Sequence, residues 1–185
     1  MQPPPPDAAG IAAEMDENWE TALELYERQL EKEPARTDLW LRKAWILAKL
    51  KRYSQSAAAL HKAARLRPGD ADIHYELSRT YAMLNRPLDA LAAVETALKL
   101  KPDHIPFLTA RASLANWSGK HALAADSYRR LVTLLPGDPL MRLYQARADS
   151  WSGRLNRAVK RYREFLEIQP RHREALHELI RVYTW

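Results

Sequence analysis

The sequence predicts an all-α fold, a solenoid of antiparallel helix pairs, on three observations. Prolines recur at Pro34, Pro68, Pro102, Pro136 and Pro170, evenly spaced along the chain. The stretches Asn116–Ala124 (NWSGKHALA) and Ser150–Ala158 (SWSGRLNRA) both spell Trp-Ser-Gly-basic with an alanine at a fixed distance, and they lie one proline step apart. With the proline at position 32 of the period, position 20 reads Ala22, Ser56, Ala90, Ala124 and Ala158, and position 8 reads Ala44, Ser78, Ala112 and Ala146. Small residues there let two helices approach closely, and position 24 (Tyr26, Leu60, Val94, Tyr128, Tyr162) supplies the large side chain that fills the space. The step, about 34 residues, is the length of a helix–turn–helix repeat.

The elements follow in order. Residues 1–9 hold Pro3 to Pro6 and read as an extended, flexible proline-rich segment. The array occupies 10–185, beginning with a partial repeat at 10–36 whose first helix, about 10–16, is abbreviated. Repeat 37–70 ends in Pro-Gly-Asp at 68–70, where proline stops one helix and Asp70 can cap the next. Repeat 71–104 places Asn85 at position 15, between its two helices, where a left-handed residue is wanted. Repeats 105–138 and 139–172 place Gly119 and Gly153 there, the residue type that adopts that conformation without strain. Asp138 is a second N-cap, and Pro139 follows at the first helical position, where its missing N–H costs nothing. Residues 173–185 form a partial repeat, with Leu176, Leu179, Ile180 and Tyr183 on one stripe and Arg173, Glu174, Glu178 and Arg181 on the other. That helix can close the array from inside, although its end at position 13, where two earlier repeats spell Trp-Ser-Gly, suggests a longer array.

The pattern resembles the tetratricopeptide repeat (TPR) family over about residues 10–185. Repeat 71–104 matches best, with Leu77, Ser78, Tyr81, Ala90, Val94, Ala97 and Pro102 in register. The resemblance implies a right-handed superhelix and a concave face lined by positions 2, 5, 9, 12 and 13 of the first helices. Those positions nominate Trp45, Tyr75, Arg79, Asn116, Trp117, Arg147, Trp151 and Arg181 as contacts for a partner, with Trp185 extending a tryptophan row at position 13. Tryptophan, tyrosine and arginine dominate binding hot spots. The tryptophans have a second reading, as flat spacers packed onto the neighbouring repeat. The family's carboxylate clamp for chaperone tails needs Lys at position 5 and Asn at position 9, which occur in no repeat here.

Departures from the family pattern fall at position 7 (Lys43, Arg111, Gln145) and position 11 (Asp149). Arg111 and Asp149 are candidates to pair between adjacent repeats; the alternative is that both reach solvent.

The implied function is a non-catalytic scaffold that binds another protein. Repeats with Trp-Ser-Gly-Arg and a following alanine are similar to those of periplasmic arrays in bacterial outer-membrane and exopolysaccharide-export proteins. That resemblance implies docking of a polysaccharide-modifying enzyme or, alternatively, guidance of a polysaccharide chain by the Trp/Arg groove. It favours the bacterial periplasm, with the cytoplasm as the other compartment.

Composition narrows the remaining classes. At 46 % hydrophobic and 28 % charged, the chain has no run approaching the roughly 18 apolar residues of a membrane helix. MQPPPPDAAG lacks the basic and apolar regions of a signal peptide. Zero cysteines exclude disulfides and thiolate metal sites. Net charge is +6, divided between an acidic head (residues 1–36, three Lys/Arg against nine Asp/Glu) and a basic remainder. This modest basic excess, with no recognised nucleic-acid motif, disfavours a nucleic-acid partner. The six histidines are scattered, with His172 and His177 five apart and no HExxH; no phosphate loop or nucleophile elbow occurs. No metal, cofactor or enzymatic activity is expected.

Overall fold

The computed structural model describes residues 8–184. Residues 1–7, with the prolines of the N-terminal segment, and Trp185 lie outside the described residues. Among the described residues the secondary structure is eleven α-helices and no strand. The chain divides into two compact units, Met1–Leu100 and Lys101–Trp185.

The first unit holds α1 (Ala8–Met15), α2 (Trp19–Lys32), α3 (Thr37–Lys49), α4 (Tyr53–Leu66), α5 (Ala71–Met83) and α6 (Pro87–Leu100). The second holds α7 (Ile105–Trp117), α8 (His121–Leu134), α9 (Pro139–Trp151), α10 (Leu155–Ile168) and α11 (Arg173–Tyr183). Within each unit every helix packs on its successor. The odd-numbered (A) helices from α3 onward begin one proline step apart, and so do all the even-numbered (B) helices.

The close approach inside a pair comes from the small positions. Ala22, Ala90, Ala124 and Ala158 are fully buried, and the Ser56 hydroxyl, in their place in α4, donates to the Ala44 carbonyl at 2.8 Å. Gly10 occupies position 8 of the first pair, and a Cβ there would lie 2.7 Å from the Tyr26 ring. The Tyr26 ring occupies the space that a side chain at Gly10 would need. In the first unit Tyr26 joins Leu39, Ile46, Leu60 and Ile73 in the core; in the second, Tyr162 packs with Leu143, Phe165 and Val182.

The A helices α1, α3, α5, α7 and α9 end the same way. The N–H of position 16 donates to the carbonyl of position 11 (Arg52 to Leu47 at 2.7 Å, Lys120 to Ala115 at 2.7 Å, Arg154 to Asp149 at 2.9 Å). The N–H of position 15 donates to the carbonyl of position 12, completing a Schellman motif. Position 15 is left-handed throughout: Gly119 and Gly153 (φ 71° and 77°), Asn85 (57°), but also Glu17 (54°) and Lys51 (59°). The hydrogen bonds of the motif hold those last two side chains in a conformation that L-residues enter at a cost of about 1–2 kcal/mol. Each B helix ends before its proline, whose ring keeps the preceding residue out of helical backbone; Arg67, for example, sits at φ −132°, ψ 73°.

The caps agree with the sequence reading. Asp70 and Asp138 accept from the N–H groups of Asp72 (3.1 Å) and Leu140 (2.9 Å). His172 also caps, its Nδ1 accepting from Ala175 at 3.2 Å.

A Cβ added to Gly153 meets nothing within 4 Å, so Gly153→Ala tests the backbone alone. It is expected to cost about 1 kcal/mol, whereas Lys51→Gly, relieving the same strain, gains up to about 1 kcal/mol. Urea unfolding midpoints that move in the same direction for both variants would contradict this account.

Candidate functional site

The A helices place their exposed side chains at helical spacing. On α3, Leu41, Trp45, Ala48 and Lys49 share a face; on α5, Asp72, Glu76, Arg79 and Met83 do. Between these faces the first unit has an open groove of about 750 Å³, floored by Ala44, Ser56, Leu60 and Ile73. Trp45 (46 % exposed) and Met83 (61 % exposed) stand over it. The Trp45 ring is fixed rather than free: Trp19 meets it edge-on with centroids 5.2 Å apart, and the Lys49 ammonium lies 5.1 Å above it. Arg79 donates to both carboxylate oxygens of Glu76 at 2.9 and 3.2 Å, in a solvent-exposed pair.

In the second unit, Trp117 and Trp151 end α7 and α9, 51 % and 53 % exposed. His121, opening α8, lies between them in sequence, with its ring 5.4 Å from that of Trp151 and its Nδ1 3.2 Å from the Asn116 amide oxygen. Trp151 therefore has one part of its surface against the preceding repeat and half of it open to solvent.

The nominated residues meet different fates. Trp45 and Arg79 line the first unit's groove, while Tyr75, half-buried on the same helix as Arg79, is not among its walls. Asn116, Trp117 and Trp151 gather at the A–B turns of the second unit, and Arg181 is exposed on α11. Arg147 is engaged inside the protein. Its Nε donates to Glu178 at 2.9 Å and its Nη2 to Glu174 at 3.2 Å, and Glu178 also accepts from the Tyr162 hydroxyl at 3.0 Å. The Glu178 carboxylate pushes the Arg147 guanidinium above its usual value; burial, with Glu178 alongside, pushes the Tyr162 phenol well up.

The pairing expected between Arg111 and Asp149 does not form. Asp149 is 2 % exposed and its Oδ1 lies 3.6 Å from Arg154, five residues on, while the buried Arg111 Nε has no hydrogen-bond partner. Gln145 is likewise buried, and Lys43 crosses to Glu27 at 2.8 Å. Asp149 is buried within its helix pair and does not reach solvent, with the Arg154 side chain folded back toward it. Lys49, Glu76 and Met83 were absent from the nominated set; Lys49 and Met83 occupy position 13, the signal that selected the tryptophans.

This helix-pair architecture and the sequence agree on a class, the helical-repeat scaffolds. Two tetratricopeptide repeat family models match residues 8–71 and 48–114, together more than half of the chain. The chain belongs to the tetratricopeptide repeat family. Among curated relatives, it is 32 % identical over 92 residues to human General transcription factor 3C polypeptide 3, covering 48 % of this chain and 10 % of that protein. It is 26 % identical over 83 residues to the uncharacterized protein y4yS of Sinorhizobium fredii, covering 45 % of this chain and 46 % of that protein. The chain thus spans a tenth and about half of the lengths of these relatives. Among solved structures, MamA aligns with TM-score 0.74 at 18 % identity, over 90 % of this chain and 91 % of MamA. YrrB, a TPR protein with an unusual peptide-binding site, aligns with TM-score 0.72 at 18 % identity, over 91 % and 87 %. The structure of Naa15/Naa10 bound to HypK-THB aligns with TM-score 0.71 at 20 % identity, over 85 % of this chain and 24 % of that one. At these identities the likenesses establish the fold. Tetratricopeptide repeats act generally as protein-interaction scaffolds. No helix among the described residues is long and apolar enough to cross a membrane.

Burial pushes the Asp149 carboxyl above its ordinary value, against the downward pull of Arg154, Arg157 and Arg161. The folded state then binds that proton more tightly than the unfolded chain, so ionised Asp149 costs stability at neutral pH, and the cost vanishes as pH falls below the unfolded carboxyl value. Asp149→Asn is expected to raise the urea midpoint at about pH 7 and to lose that advantage at about pH 3.5. A variant less stable than the parent at neutral pH would show that the Arg154 contact outweighs burial.

Proposed function

We propose that the chain is a non-catalytic scaffold that receives a peptide segment of a partner protein in the groove between α3 and α5. The observation that carries this reading is the groove itself, about 750 Å³ with an apolar floor, roofed by an exposed Met83 and by a Trp45 held in place from two sides. A side chain already immobilised loses little rotamer freedom on binding, so its contact area converts efficiently into affinity. The peptide-binding site of YrrB and the partner-bound state of Naa15/Naa10 are consistent with this use of the fold. In the second unit, Asn116, Trp117 and Trp151 form a further contact surface on this reading, and Arg181 an exposed cation. Arg147 acts as a structural tie, because a partner would have to displace Glu178 and Glu174 to reach it.

The finer readings concern the partner. A polysaccharide-modifying enzyme, docked in the periplasm, follows from the Trp-Ser-Gly-Arg resemblance. Direct contact with a polysaccharide chain draws on the open faces of Trp117 and Trp151, since sugar rings stack on exposed aromatic faces.

A photo-crosslinking residue at Met83 is expected to trap a partner polypeptide from an extract of the source cells, and Trp45→Ala to reduce that yield at least tenfold, the loss of about 1.4 kcal/mol or more typical of a hot spot. Equal trapping by the folded Trp45→Ala variant would remove the groove from the function. Oligosaccharide-dependent tryptophan fluorescence, lost in a Trp117→Phe/Trp151→Phe variant, would favour the polysaccharide reading instead.

A further inference from the structure

One helix face in the second unit stays bare. In α1, α3, α5, α7 and α9 the side that carries position 8 is covered by the helix that follows, and the residue there is small: Gly10, Ala44, Ser78, Ala112 and Ala146, all buried. Position 8 of α11 is Ile180, which is 63 % exposed. With Leu176, Leu179 and Tyr183 it makes a stripe at i, i+3, i+4 and i+7 spacing, the pattern of a helix face that packs on an apolar neighbour. Leu176 and Tyr183 are exposed as well, while Leu179 leans half-buried on the core that holds Tyr162 and Phe165.

Two features select what can cover this face. The first is bulk. Ile180 carries three more side-chain carbons than Ala146 of α9, so a helix brought as close as α10 lies to α9 would overlap it. The cover therefore stands further off than a helix of the array and meets side chains rather than backbone. The second is charge. Arg173, His177 and Arg181 form a row at intervals of four along one edge of the stripe, and on the α10 side the Arg163 guanidinium lies 5.9 Å from the Tyr183 ring centroid. None of these three arginines has a carboxylate within ion-pair distance among the described residues; the acids of α11, Glu174 and Glu178, are turned to Arg147. On α10, Glu164 is paired with Arg161, and Glu167, one turn beyond Arg163, is exposed. Residues 101–185 as a whole carry fifteen Lys/Arg against eight Asp/Glu, so the field around the stripe favours an acidic partner. A second copy laid antiparallel on the stripe would set the arginine row against itself, which like-charge repulsion opposes.

We infer, independently of the α3/α5 groove, that this face of α11 receives an amphipathic helix of a partner protein, with an apolar stripe that packs on Leu176, Ile180 and Tyr183 and an acidic row that pairs with Arg173 and Arg181. Burial of the three exposed apolar side chains supplies affinity, and the arginines fix the register and reject basic helices.

The test uses three fluorescein-labelled helical peptides of about eighteen residues: a leucine stripe flanked by Glu, the same stripe flanked by Lys, and the Glu peptide with its leucines scattered around the helix. Fluorescence anisotropy at low salt is expected to show the first binding at least about tenfold more tightly than either of the others. Ile180→Glu, at an exposed position, should weaken it by a similar factor. Arg173→Glu/Arg181→Glu should turn the preference toward the Lys-flanked peptide, with unchanged circular dichroism showing that both variants fold. Binding that ignores Ile180→Glu, or a preference that survives the arginine reversal, overturns the inference. A parent that binds none of the peptides overturns it too; dimers, or adhesion to phosphatidylserine vesicles, lost in Ile180→Glu would then identify the cover as a second copy or a lipid surface.

Discussion

Everything in this structure depends on two helices being able to touch across a residue too small to hold them apart. Position 20 is alanine in four pairs and serine in one, all buried, and in the first pair position 8 is a glycine whose missing Cβ makes way for the Tyr26 ring. That approach creates a tight hairpin, and the hairpin needs a reversal of fixed geometry between its helices. The Schellman turn supplies it. Its paired hydrogen bonds are strong enough in aggregate to hold Glu17 and Lys51 in left-handed backbone where glycine or asparagine is the easier choice. Burial at one face and hydrogen bonding at the turn thus fix the same repeat spacing independently, the agreement between levels that lets a sequence specify one fold.

The fold was legible because its determinants repeat. A small residue, a turn glycine or a proline returning once per period reports on the same physical event each time, and the errors of one position are corrected by the next. The side chains that leave the repeat pattern were read less well, for the same reason. Arg111 and Asp149 occupy core-facing positions of adjacent repeats, which made a pair between them attractive. The nearer cation was five residues away in sequence, beyond the turn, where the chain reverses and returns Arg154 to the end of its own helix. The engagement of Arg147 had no periodic signal either. It needs Glu174 and Glu178 on the next A helix and Tyr162 on the intervening B helix, a combination found in one repeat only.

The candidate site shows the same division. At position 13, which the sequence nominates as groove-lining, Trp117, Trp151 and Met83 are each at least half exposed. What the sequence could not supply was which neighbours hold them. Trp45 is steadied by Trp19, at the start of the preceding helix α2, and Trp151 by His121, at the start of the preceding helix α8. Such contacts depend on the rotation of one helix pair against the next, and a single repeat does not encode that angle.

The two units use the A-helix face differently, and ion pairing explains how. In the second unit the cation at position 9, Arg147, is bound by carboxylates of the following A helix and by a tyrosine-linked acid, with most of its side chain withdrawn from water. Freeing it would leave Glu178 and Tyr162 facing each other in a partly dry setting, a cost that a peptide contact at the surface would have to exceed. In the first unit the corresponding cation, Arg79, is paired within its own helix to Glu76, and that pair is bathed in solvent. An i, i+3 pair of this kind crosses no groove, so it leaves the space between α3 and α5 open. The same residue type at the same repeat position therefore ties one helix to the next in one case and faces a potential ligand in the other, according to whether its acid lies on the neighbouring helix or on its own.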